Sequence, residues 1–116
     1  MEPVEKRFLR YVSYETTSDE FSETCPSTAN QKVLGAAIVE EMLAMGIQDA
    51  RMDENGYVYG TVPGDPSLPT IGLIAHMDTA PDASGENVNP ILHENYDGSD
   101  VTLPLSLIHI SEPTRR

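Results

Sequence analysis

The 116 residues carry 7 Lys+Arg against 19 Asp+Glu, a formal net charge of −12, with 39% hydrophobic and 22% charged residues. That size holds one small domain and not two, and the composition suits a folded soluble chain rather than a disordered one. The acidity speaks against nucleic acid or anionic membrane as partner, since both are gripped by clustered Lys and Arg, and no apolar run nears the ~20 residues of a membrane span.

The N-terminal MEPVEKRFLR is charged and amphipathic and lacks the apolar core of a signal peptide, so the cytoplasm is the expected compartment. Residues 3–13 read as a first helix: Pro3 suits a first turn, and Val4, Phe8 and Val12 recur at i, i+4, i+8. Residues 14–27 form a polar loop holding Cys25, the one cysteine. A single thiol excludes an internal disulfide and reads as a plain loop thiol rather than a nucleophile, with no histidine near it in sequence. A second helix is expected from near Thr28, because Thr28-Ala-Asn-Gln31 has the form of a capping box. Leu34, Ile38, Met42 and Met45 make its apolar stripe, and Gly46 falls where a left-handed C-cap wants glycine. The methionines Met42, Met45 and Met52 read as core filling rather than ligands.

Strand signals come next. Residues 47–52 alternate weakly. Asn55-Gly56 marks a hairpin turn of the kind that needs positive φ at both central positions. Residues 57–62 (YVYGTV) have strong β composition, with Tyr57 and Tyr59 on one face. After the loop PGDPSLP, residues 70–75 (TIGLIA) are a continuous apolar run, as expected of a strand covered on both faces. Residues 83–100 are polar and turn-rich. Two helices and then strands predict an α/β domain whose sheet is incomplete at residue 100.

The chemistry-bearing feature is His76-Met77-Asp78, directly after the apolar run. In open α/β sheets ligands bind just beyond the C-terminal ends of strands. A neutral imidazole is a good zinc ligand, and a carboxylate two residues on can accept the proton of its other nitrogen, fixing the tautomer. The spacing alone is weakly specific, and a zinc site needs further ligands. Asp82, Glu86 and Asp100 read as solvated loop carboxylates and His93 as a surface residue.

The string Ile71-Gly-Leu-Ile-Ala-His76-Met-Asp78-Thr-Ala-Pro-Asp82 resembles the metal-binding segment of the peptidase T family, tripeptide aminopeptidases among the bacterial zinc exopeptidases. Arg7-Phe-Leu-Arg-Tyr-Val12, Cys25-Pro-Ser-Thr28, Glu41-Met-Leu-Ala-Met-Gly46, Gly85-Glu-Asn-Val-Asn-Pro90 and Glu94-Asn-Tyr-Asp-Gly-Ser-Asp100 resemble the same family in the same order. The resemblance implies that residues 1–104 are the N-terminal portion of a zinc-exopeptidase catalytic domain, a mixed sheet flanked by helices, here truncated. It implies that His76 binds one zinc of a two-zinc centre and that Asp78 orients His76 and supports catalysis. The family's bridging aspartate, paired glutamates, further carboxylate and late histidine would lie downstream, so the 116-residue chain by itself is expected to be inactive. The implied substrate is a small peptide, with no nucleic acid and no membrane involved, and a homodimer of the intact enzyme is compatible with it. Two other readings stay open: a related zinc dipeptidase, carboxypeptidase or deacylase, and a non-catalytic acidic binding module.

Residues 105–116 (LSLIHISEPTRR, with Leu105 first) depart from this pattern. A plain reading makes Leu105 to Ile110 a strand and His109 a second metal ligand. The string also resembles the in-frame translation of a transposase adapter used in sequencing libraries, so residues 105–116 are expected to be a non-native tail and His109 to carry no function. Removing them takes away Glu112, Arg115 and Arg116, so the acidity belongs to the remaining segment.

Overall fold

A computed structural model describes residues 3–102 and 109–110. Among them are two helices, α1 (Val4–Tyr11) and α2 (Gln31–Ala44), and four two-residue strands, β1 (Arg51–Met52), β2 (Val58–Tyr59), β3 (Val101–Thr102) and β4 (His109–Ile110). The class is mixed α/β, but the sheets are two separate antiparallel pairs, β1–β2 and β3–β4, rather than one mixed sheet.

The first helix runs over 4–11, with Pro3 at its N-cap in an extended conformation and Val12 at its C-cap. Its expected apolar stripe does not become a core face: Val4 and Phe8 are exposed. Polar groups fasten the helix instead. Glu41 of α2 accepts hydrogen bonds from Tyr11 Oη at 2.6 Å and Arg10 Nη2 at 2.7 Å, and it pairs with Arg7.

The second helix begins at Gln31 with Asn30 as its N-cap, two residues later than the Thr28 N-cap of the capping box, and no side chain caps it. The Gln31 N–H bonds to the Thr28 carbonyl at 3.3 Å and not to its hydroxyl. The Thr28 hydroxyl donates to the Thr17 carbonyl at 2.9 Å, and the Gln31 side-chain amide donates to Ser27 Oγ at 3.1 Å. The helix C-terminus agrees with expectation. Gly46 has φ +94°, its N–H donates to Leu43 O at 3.0 Å, and the Ile47 N–H donates to Met42 O at 3.0 Å. This is the Schellman pair of bonds that closes a helix through a left-handed residue. Leu34 is buried, as the stripe requires, whereas Met45 is exposed and lies 3.5 Å from Arg7 Nη2.

The β1–β2 hairpin packs on α2. Gly35 makes the approach possible: a Cβ there would lie 2.6 Å from Met52 Sδ and 3.4 Å from Val58 Cγ2. Arg51 pairs with Tyr59 and Met52 with Val58. The turn is not the expected two-residue form with positive φ at both Asn55 and Gly56. Only Gly56 has positive φ (+85°), its N–H bonds to Asp53 O, and Asp53 N–H bonds to Tyr57 O. Three residues therefore close the hairpin, and Asp53 Oδ1 stabilises them by accepting from the Asn55 and Tyr57 amides. The Tyr57 and Tyr59 rings contact each other, with centroids 6.5 Å apart.

The largest departure is at residues 70–75. They form no strand, and Ile71, Leu73 and Ile74 are 83%, 94% and 101% exposed. An apolar run becomes a buried strand only if other strands flank it and helices cover it, and none of the described residues does so. In the tail, β4 pairs with β3, Val101 opposite Ile110 and Thr102 opposite His109; residues 105–108 and 111–116 of the expected tail lie outside the described residues. Among the described residues no helix is long and apolar enough to cross a membrane.

Candidate functional site

The segment His76–Thr79 receives nothing from the exposed run before it and takes its position from its own C-terminal end. Thr79 forms a parallel bridge with Thr17. The Thr79 N–H donates to the Thr16 carbonyl at 3.2 Å, and the Thr79 carbonyl accepts from the Ser18 N–H at 2.9 Å and the Ser18 hydroxyl at 3.1 Å. Half-buried Met77 reaches towards α2, its Cε 3.6 Å from the place a Cβ on Gly35 would occupy. Backbone ladder on one side and thioether packing on the other hold the two residues that flank Asp78.

His76 and Asp78 meet as their spacing predicts. Nδ1 of His76 lies 3.1 Å from Oδ1 of Asp78. A proton on Nδ1 is donated to the carboxylate in this arrangement, which leaves the lone pair of Nε2 for another partner. The imidazole side chain is 84% exposed, against 42% for Asp78, so the ring projects further into solvent than the carboxylate does. A carboxylate on one ring nitrogen and an accessible second nitrogen is the donor chemistry of a carboxylate–histidine–metal unit.

The other candidates do not join this pair. Asp82, Glu86, His93 and Asp100 are exposed, and among the described residues no group of three or more His, Cys, Asp or Glu is placed to hold a metal ion. Cys25 is free and exposed, its thiol 3.9 Å from the Asn55 carbonyl. His109 lies in β4.

Behind the pair stands a layer that pattern reading missed. Thr16 is buried, and the Glu15 carboxylate accepts from the Thr17 N–H at 3.0 Å and from Asn30 Nδ2 at 2.7 Å. Those bonds, from Asn30 first and then Thr17, hold the Glu15 carboxyl below the ordinary carboxylate range. In the second carboxylate cluster, partial burial pushes Glu41 up. The bonds from Tyr11 and Arg10 and the charges of Arg10 and Arg7 outweigh it, and the net shift is downward. Burial, then the bond to Glu41 and its charge, push the Tyr11 phenol up to about 12. The Asn30–Glu15, Tyr11–Glu41 and Arg10–Glu41 contacts span 15, 30 and 31 residues, and neither spacing nor composition signals them.

Comparison with known proteins matches nearly the whole chain. A scan against protein-family models found no match. Individual proteins do match: the chain is 52% identical over 112 residues to "Peptidase T" of Bacillus pumilus, covering 95% of this chain and 27% of that protein. It is 49% identical over 118 residues to "Peptidase T" of Alkaliphilus oremlandii, covering 98% of this chain and 29% of the relative. It is 50% identical over 104 residues to "Peptidase T" of Bacillus subtilis, covering 88% and 25%. The chain thus spans about a quarter of the length of the curated relatives it matches.

Proposed function

We propose, taking this likeness to the peptidase T proteins as the premise, that residues 1–104 are the N-terminal portion of a zinc-dependent tripeptide aminopeptidase. The observation that carries the reading is the His76–Asp78 contact at 3.1 Å, in a chain about half identical to proteins of that name along most of its length. His76 is the ligand of one zinc through Nε2. Asp78 orients the ring and raises its basicity through Nδ1. Zinc, when bound, supplies Lewis acidity, acidifying a water and polarising the carbonyl of the first peptide bond. The remaining ligands and the general base come from the part of the relatives' length that these residues do not span, so the 116-residue chain alone is inactive, and residues 105–116 take no part. The intact enzyme works in the cytoplasm on small peptides.

A substrate screen tests the reading. A polypeptide of the relatives' full length that carries residues 1–104 is expected to release the N-terminal residue from free tripeptides in preference to dipeptides, C-terminally extended peptides and acylated amino acids. Preference for one of the latter classes would move it to a dipeptidase, carboxypeptidase or deacylase activity. Hydrolysis of tripeptides by the 116-residue chain would overturn the claim of inactivity.

A further inference from the structure

Besides the packing of Met77 towards α2, the His76–Asp78 pair is supported through Thr79. Thr79 is laced to the strap Thr16–Ser18 by three hydrogen bonds. The strap is in turn anchored at the start of α2: Glu15 bridges the Thr17 N–H and Asn30 Nδ2, and the Thr28 hydroxyl grips the Thr17 carbonyl at 2.9 Å. Gly85 closes the arrangement from the other side. A Cβ there would sit 2.6 Å from Thr17 Oγ1, 3.3 Å from Thr79 Oγ1 and 3.7 Å from Glu15 Oε1, and the first of these is closer than real Cβ atoms come. A side chain at 85 would therefore press on the Thr17 and Thr79 hydroxyls.

We propose that Glu15 and Asn30, acting through the strap Thr16–Ser18, are positioning residues for the His76–Asp78 pair, and that Gly85 leaves the room that the Thr17 and Thr79 hydroxyls occupy beside the strap. The proposal rests on the reading of His76 as a metal ligand, but its geometry belongs to this chain alone. The apolar run before His76 gives that residue no support, so an orientation error at the strap passes straight to the imidazole. A bidentate carboxylate bridge suits this task because two bonds on one rigid planar group fix both the height and the angle of the strap.

The test uses the isotope-labelled 116-residue chain at one fixed pH and reads no catalysis. Amide exchange tracks the Thr79 and Ser18 N–H groups, and nuclear magnetic resonance tracks the ring nitrogens of His76, whose shifts report the tautomer. Asp78→Asn marks the shifts of a ring that has lost its carboxylate partner. In Glu15→Ala and in Gly85→Ala, Thr79 exchange is expected to rise at least about tenfold. The His76 nitrogens are expected to move towards the Asp78→Asn values, while the Ile47 and Asp53 amides keep their protection. Glu15→Gln, which retains an acceptor for the Thr17 N–H, should fall between Glu15→Ala and the parent. The proposal is overturned if Thr79 loosens and the His76 nitrogens stay put, if neither moves, or if both alanine variants lose protection throughout the molecule. Failure of tripeptide hydrolysis in the full-length enzyme would count against the proposed function and would leave these readouts unchanged.

Discussion

Replacing Glu41 by alanine should release α1. The helix leaves Val4 and Phe8 exposed and docks through Arg7, Arg10 and Tyr11, all converging on this one carboxylate. A hydrogen bond to a charged group contributes about 1.5–3 kcal/mol when enclosed, and an exposed ion pair about 0.2–1 kcal/mol. The Arg10 side chain is 38% exposed and that of Glu41 13%, so solvent screens the set, and about 1–2 kcal/mol is the appropriate size for the whole. That is a roughly 5–30-fold shift in the docking equilibrium. Eight residues are too few to stay helical unaided, since isolated helices become marginal below ~12–15 residues. Undocking should therefore melt α1 and remove about a third of the helical signal, α2 contributing 14 residues. Far-UV circular dichroism of Glu41→Ala against the parent measures this, and Glu41→Gln, which can still accept from Tyr11, should lose less. Acid should act in the same direction. Glu41 is held below its ordinary value of 4.5, so its stabilisation is complete above that value and disappears as pH falls through the depressed one. An unchanged helical signal in Glu41→Ala would refute the view that this carboxylate docks α1.

Other consequences are independent of that cluster. Gly46→Ala places a Cβ at φ +94° and should lower stability by about 1 kcal/mol, read as a lower denaturation midpoint. The exposed run 71–74 should bind a hydrophobic dye and promote association, and Ile74→Asp should reduce both dye fluorescence and light scattering. In a spectrophotometric titration one tyrosine should ionise only near pH 12, and Tyr11→Phe should abolish that late component. In the full-length enzyme Asp78→Ala should reduce zinc affinity or activity by about 10–100-fold, measured by metal titration.

What could be read from the sequence was local. His76 meets Asp78 because two residues of separation suffice to bring a carboxylate onto the neighbouring ring, and Gly46 ends α2 because a left-handed residue was needed there. What failed depended on partners distant in sequence. Thr28 has a capping hydroxyl, but its carbonyl takes the Gln31 N–H while the hydroxyl donates to the distant Thr17 carbonyl. Phe8 lies on an apolar stripe, but Glu41 draws the other face of α1 inward. Residues 70–75 have the pattern of a covered strand, but a pattern cannot supply the strands that would cover it. The strap between Glu15 and Thr79 carries no periodicity, so nothing in composition or spacing announces it.

If His76 serves a zinc centre that cleaves tripeptides, the metal must be needed for the reaction. Tripeptide hydrolysis by the full-length enzyme is to be measured before chelation, after chelation and after zinc is restored, and repeated with His76→Ala. Release of the N-terminal residue should vanish on chelation, return with zinc, and fall roughly 100-fold or more in His76→Ala. Hydrolysis that survives chelation, or that proceeds at the parent rate in His76→Ala, would contradict that role.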